Sequence, residues 1–139
     1  MTEKARIRKL FSDLYSGSPW IDINITGSVS DLTATEAAAK PIEGLHSVWE
    51  IVNHIIDWRM NVLRRVKGEV LKTPAHNYFK PVAKVSAMAW QQTLEALEKS
   101  QHEWMKWLSD VSSGELELVY AVNGLTYYEH IQGILQHDA

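Results

Sequence analysis

The sequence predicts an all-α protein, a single-domain four-helix bundle over residues 1–139. Apolar residues recur at helical spacing through four separate segments, and almost no segment shows the two-residue alternation of a strand. No internal repeat, low-complexity tract or linker divides the chain, which is long enough to enclose one hydrophobic core. Two long connections and one shorter one join the four segments, and they permit a topology other than simple up-and-down order.

The first helix is predicted from about Thr2 to Ser16, because its apolar residues fall on one stripe: Ile7, Leu10, Phe11 and Leu14. A Gly-Ser-Pro sequence at residues 17–19 ends it. A long connection follows, rich in turn formers and β-branched residues, and we expect Trp20 to anchor it. An N-cap threonine, Thr33 or Thr35, then begins a short helix.

The second helix shows the clearest pattern and is predicted from about Leu45 to Lys67, with a broad apolar arc and Gly68 as its stop. The third is predicted from about Ser86 to Val111. The stretch "SSGELELVY" at residues 112–120 reads as a short extended piece. The fourth helix is predicted to start after the "NG" at 123–124 and to continue through the last residues.

Composition narrows the functional classes. The formal charge of −3 and the dispersed basic residues argue against nucleic acid as a partner. The absence of cysteine excludes disulfides, zinc–thiolate sites and a cysteine nucleophile, so histidine and carboxylate are the candidate metal ligands. No apolar run approaches the ~20 residues that span a bilayer, and the first residues lack a signal core, so a cytoplasmic protein without membrane contact is expected.

Three histidines lie on predicted helices in positions of interest. His54 is at the edge of the apolar arc of the second helix, an edge that often lines a pocket. His130 and His137 point within about 20° of each other but are separated by roughly 10 Å along the helix axis, so they do not bind one ion together. Taken alone, this spacing favours ordinary structural roles for the histidines.

A resemblance adds to this interpretation. The segments "SVWEIVNHIIDW" and "GILQHDA", together with the order of helices and loops, resemble the DinB-like (DinB/YfiT) superfamily of four-helix-bundle proteins across the whole chain. The resemblance implies that His54 and His137 are metal ligands. The second histidine of that family's C-terminal pair would lie four residues after His137, beyond Ala139. Two alternatives therefore stay open: the natural protein continues past Ala139, or this member has an incomplete site.

The neighbours of these histidines give further candidates. His130 and Trp58 are expected to line a pocket or lie around the metal ligands. Glu50 and Asp57, at i−4 and i+3 from His54, are candidates to orient its imidazole. A solvated helix face is the commoner reason for carboxylates at such positions.

An arginine inside the second helix also calls for a partner. Arg59 falls near the centre of the apolar arc, where a guanidinium must snorkel or pair with a carboxylate. Candidate carboxylates on the third helix are Glu95, Glu98 and Glu103. The expected role of Arg59 is structural.

The resemblance implies a metal-dependent enzyme. The expected cofactor is a divalent ion (Zn, Ni, Mn or Fe), and the expected reaction is transfer of a low-molecular-weight thiol of the bacillithiol, mycothiol or glutathione type to a small electrophile. Metal-assisted hydrolysis is a second enzymatic version. The alternative is a non-enzymatic, stress-associated dimeric binding module with an incomplete metal site, in which exposed Trp104 and Trp107 mark a homodimer interface.

Overall fold

The computed structural model describes residues 1–139, and its regular structure is entirely helical. Four long helices form the framework: α1 (Glu3–Ser16), α4 (Val48–Val66), α5 (Ala87–Asp110) and α7 (Tyr127–Asp138). Three short helices lie in the connections: α2 (Ile25–Val29), α3 (Ala34–Ala38) and α6 (Ser113–Leu116). The all-α prediction is confirmed. No helix combines the length and the apolar character that crossing a membrane requires.

The order of the long helices around the bundle differs from their order in the chain. Helix α4 packs against α5 and α7, and α1 packs against the same two helices. Consecutive long helices α1 and α4 therefore lie diagonally across the bundle, and so do α5 and α7. This arrangement needs the long connections that the sequence contains, because a tight turn joins only neighbouring helices. It also places α7 directly beside α4.

Side-chain caps fix where several helices begin. Ser47 accepts a hydrogen bond from the Glu50 amide, and the Glu50 carboxylate binds the Ser47 amide in return, so α4 starts at Val48. Thr33 forms the same reciprocal box before α3 and is the N-cap of that helix. Such boxes satisfy amide groups that the first turn of a helix leaves free.

The connections differ from the predictions in three places. Within the stretch at residues 112–120, Ser113–Leu116 form α6, and the extended pairing is limited to one bridge between Val119 and Thr126. Helix α2 was not predicted, although Asn24 caps it through its side chain. Trp20 is 97% exposed and anchors nothing.

The tryptophans of α5 do not form an exposed patch. Trp104 is fully buried, stacks on Phe11 and donates a hydrogen bond to the Arg59 carbonyl at 3.0 Å. Trp107 is partly buried and packs against the same core. The expectation that Trp104 is exposed at a homodimer interface is therefore wrong, because Trp104 is a core residue of the bundle.

Candidate functional site

Helices α4 and α7 bring His54 and His137 together. The two Nε2 atoms are 2.9 Å apart, although the residues are 83 positions apart in the chain. His54 is buried, whereas the side chain of His137 is 31% exposed, so the pair is open to solvent on the α7 side. The packing of α4 on α7 is what produces this convergence.

The other nitrogen of each ring binds an acceptor. His54 Nδ1 lies 2.6 Å from the Asn77 carbonyl, and His137 Nδ1 lies 2.9 Å from a carboxylate oxygen of Asp138. Neither acceptor can donate, so each Nδ1 carries a proton, and a ring in its neutral form has its lone pair at Nε2. Two such lone pairs at 2.9 Å repel one another unless a cation lies between them. The pair is therefore arranged to share a proton or a metal ion, and metal-binding histidines are typically oriented in this way.

The surroundings of His54 favour the neutral imidazole. Burial lowers the pKa of His54, because the charged form loses hydration. The hydrogen bond to Asn77 opposes this effect, and the positive charge of a protonated His137 adds to it. The resulting pKa is below the ordinary value, so His54 is available as a ligand at neutral pH.

A turn in the loop between α4 and α5 holds this site. Asn77 has a φ of 49° and Tyr78 one of 61°, both in the left-handed region that side chains other than glycine rarely adopt. Asn77 uses its carbonyl to bind His54 and its side-chain oxygen to accept from Trp58 Nε1 at 3.0 Å. Tyr78 is held by Asn61, which donates to its hydroxyl at 2.9 Å. The strained turn thus fixes the His54 ring and one wall of the site.

Phe79 covers the outer face of His54. Its ring stacks on His54 at a centroid distance of 3.8 Å and on His46 at the same distance, with the planes nearly parallel. The three rings form a continuous stack that restricts how the His54 imidazole can rotate. His46 lies at the exposed end of this stack.

A buried ion pair holds Asp138, the residue whose carboxylate binds His137. Asp138 uses one oxygen for His137 and the other for Arg59 Nε at 2.9 Å, and the Arg59 and Asp138 side chains are 0% and 1% exposed. The Arg59 N–H is poorly aligned with the oxygen, so this contact is an ion pair and not a directed hydrogen bond. The remaining guanidinium nitrogens donate to Ser100 and Gln101. Arg59 therefore finds its carboxylate on α7, and not among the expected glutamates of α5.

A pocket of about 270 Å³ opens beside the pair, between α4, α7 and the loop before α7. His137 and Asn123 line the pocket, and Trp58, Arg65 and His130 contribute walls. A molecule bound here would therefore be next to the exposed side of His137.

Two expected site residues do not contact the histidine pair. The Glu50 carboxylate caps α4 and pairs with Lys40 at 2.7 Å, with His46 also within 3.3 Å. Burial raises the pKa of Glu50, but these partners outweigh it and the net shift is downward. Asp57 pairs with Lys80 at 2.6 Å. The expectation that either carboxylate orients His54 is wrong, because the Asn77 carbonyl has that role.

The other two expected residues lie in the pocket wall. The ring of Trp58 is 6.2 Å from that of His137, measured between centroids. His130 is buried and uses both ring nitrogens locally, with Nδ1 on the Thr126 carbonyl and Nε2 on the Asn123 amide. His130 is therefore a fixed wall residue with no free nitrogen for an ion.

Sequence reasoning missed several residues of the site. The sequence around Asn77 indicated a turn, since asparagine tolerates a positive φ and this residue lies in an irregular stretch bracketed by two prolines. Asp138 was visible beside His137, but adjacent positions on a helix do not usually face each other. Phe79 and Arg65 carried no signal, because their positions depend on the path of a loop and on tertiary packing.

The donor set fits part of a metal site. Two neutral imidazoles with protonated, hydrogen-bonded Nδ1 atoms are suitable ligands for a divalent ion. No group of three or more histidine, cysteine, aspartate or glutamate side chains converges in a way that could hold one ion. Within residues 1–139, the two imidazoles of His54 and His137 are therefore the donors that converge on one point.

Comparison with known proteins agrees with the helical fold. A family model described as the DinB superfamily matches residues 24–139. Searches of curated proteins and of solved structures find no match. The matched segment contains all of α4 and α7, and with them His54, His137 and the pocket between the two helices. The chain belongs to the DinB superfamily.

Proposed function

We propose that this protein is a divalent-metal-dependent enzyme in which the Nε2 atoms of His54 and His137 hold the ion. The observation that carries the proposal is the 2.9 Å approach of two Nε2 atoms whose Nδ1 atoms are both bound to acceptors. In a purely structural histidine pair, two lone pairs that face each other would only repel. A cation bound between them removes that repulsion.

The residues around the pair have separable tasks in this proposal. The Asn77 carbonyl and the Asp138 carboxylate keep the proton on each Nδ1, so that Nε2 stays free to bind. Phe79 fixes the plane of the His54 ring and shields it from water on one face. Arg59 keeps Asp138 in place through the buried ion pair.

The reaction we favour is transfer of a low-molecular-weight thiol to a small electrophile. A bound divalent ion supplies Lewis-acid activation, which lowers the pKa of a coordinated thiol or water near neutral pH. The chain contains no cysteine, so any reacting sulfur must come from a cosubstrate. The walls of the pocket include Val62, Leu125 and Ile134, which suit the carbon skeleton of an electrophile. Hydrolysis, with water in place of the thiol, is the second version.

Metal content per chain tests this proposal. Metal-free protein is equilibrated in turn with Zn²⁺, Ni²⁺, Mn²⁺ and Fe²⁺ and dialysed, and its metal is then measured by elemental analysis. We expect about one equivalent of at least one of these ions in the wild type and a large loss in His54→Ala and in His137→Ala. His102→Ala is the matched control, because His102 is an exposed histidine of α5 away from the pair. Metal retained by both site variants would overturn the ligand assignment.

Activity then separates the two reaction versions. The metal-loaded protein is incubated with glutathione and an aryl chloride, and separately with an activated ester and no thiol. Thiol consumption that depends on both metal and His137 supports transfer. Ester cleavage alone, with the same dependence, would favour hydrolysis.

A further inference from the structure

The pocket beside His137 contains an arginine whose charge has no partner in the protein. No carboxylate lies within 4.0 Å of the Arg65 guanidinium, and its Nε atom is buried without a hydrogen-bond acceptor. The neighbouring Arg64 differs, since it is exposed and pairs with Glu69 at 2.7 Å. Because Arg65 lines the pocket and no carboxylate of the chain pairs with it, its guanidinium is open to an anion that enters the pocket.

Aromatic rings hold this arginine without using its N–H groups. The guanidinium carbon lies 5.4 Å from the centre of the Trp58 ring and 5.2 Å from that of Tyr120. Both rings are themselves fixed, Trp58 by the Asn77 side chain and Tyr120 by its hydroxyl, which bonds to the Leu71 backbone. Contacts to ring faces leave the planar fork of donors free. Arg65 is therefore in place before any ligand arrives.

We propose that this pocket binds a small organic carboxylate, with the Arg65 guanidinium gripping the carboxylate and the carbon skeleton reaching toward His137. The inference rests on the proposed function in one respect, since it makes the substrate of the metal centre an electrophile that carries a carboxylate. Guanidinium and carboxylate match as two parallel charge-assisted hydrogen bonds. The volume of about 270 Å³ admits a molecule of the size of an aromatic acid.

The charges around the pocket favour a monoanion over a phosphate group. Glu129 lies in the pocket wall, and its carboxylate binds the Thr126 amide and hydroxyl at the start of α7. These hydrogen bonds lower the pKa of Glu129, so it stays ionised at neutral pH. A dianionic ligand would meet more repulsion from this carboxylate than a monoanion does, and Arg65 offers the pocket's one permanent positive charge.

The test is a titration of metal-free, ¹⁵N-labelled wild type with benzoate, followed by NMR. Benzamide is the neutral probe of the same shape, and inorganic phosphate is the probe for the alternative anion. We expect benzoate to shift the Trp58 indole and the Gly133 amide and to bind at least about tenfold more tightly than benzamide, a difference of ~1.4 kcal/mol. Arg65→Met should remove this preference, and Arg65→Lys should retain part of it. Arg64→Met is the matched control, because it removes the same charge outside the pocket.

The outcomes separate this inference from the metal proposal. Binding of benzoate in the absence of metal, lost in Arg65→Met and kept in Arg64→Met and in His54→Ala, supports the carboxylate subsite whether or not the metal assignment holds. Equal binding of benzoate and benzamide, or shifts confined to other surfaces, would overturn it while leaving the histidine pair untouched. Tighter binding of phosphate than of benzoate would overturn the choice of a carboxylate. Preserved wild-type amide spectra establish that each variant is folded.

Discussion

Removing the carboxylate of Asp138 should destabilise the bundle strongly. The Arg59 and Asp138 side chains are 0% and 1% exposed, so Asp138→Ala leaves a guanidinium buried without a counterion. Breaking such a pair costs about 3–5 kcal/mol, and the lost hydrogen bond to His137 adds about 1 kcal/mol. Arg59 keeps its neutral partners Ser100 and Gln101, which places the expected loss toward the lower end, at about 3–4 kcal/mol.

Urea unfolding followed by circular dichroism measures this loss, and a double-mutant cycle isolates the pair. Arg59→Met combined with Asp138→Leu removes both charges and fills the space with apolar groups, so it should cost at least about 2 kcal/mol less than the sum of the single changes. Glu69→Ala is the control, since its pair with Arg64 is about half exposed and should contribute under ~1 kcal/mol. A loss below ~1 kcal/mol in Asp138→Ala, with additive single changes, would refute the reasoning.

Three further changes test the fold and its caps. The pKa of Glu50 is lowered in the folded state, so its contribution to stability is complete above the unfolded pKa of about 4.3 and is lost as pH falls through the folded pKa. Below about pH 4.3, the urea midpoint of Glu50→Gln should therefore fall less than that of the wild type. Thr126→Ala should lower the free energy of unfolding by about 1 kcal/mol through loss of the α7 cap, and Thr126→Ser should restore most of it. Trp104→Ala should cost about 3–5 kcal/mol, whereas Trp20→Ala should stay within about 0.5 kcal/mol, and equal thermal shifts for these two variants would contradict the burial difference.

Periodicity located the four long helices because each buries one face against the others. The predicted start of the second helix at Leu45 preceded the observed Val48 by one turn, since the pattern does not show that Ser47 caps the helix. The short helix α6 was missed for a related reason: four residues are too few for a periodic signal, and its capping box was the one local indication.

Of the candidate site, only the two histidines His54 and His137 were predicted from the sequence. His54 and His137 came from a resemblance to a known family, and the bundle packing that brings them within 2.9 Å is a tertiary property. The partner of Arg59 was sought on the wrong helix, because α4 packs against both α5 and α7 and the sequence does not show which of them supplies the carboxylate. The role of Asn77 depends on a left-handed turn, which residue type permits but does not specify.

The most direct test of the account is to count the imidazoles bound to zinc in the metal-loaded protein. Extended X-ray absorption fine structure distinguishes imidazole from water and carboxylate ligands through its outer-shell scattering, with zinc–nitrogen distances of about 2.0–2.1 Å. We expect two imidazoles per zinc in the wild type, and one per zinc in the fraction that His54→Ala still binds at excess zinc. A spectrum without imidazole scattering, or one that His54→Ala leaves unchanged, would contradict the claim that His54 and His137 hold the ion.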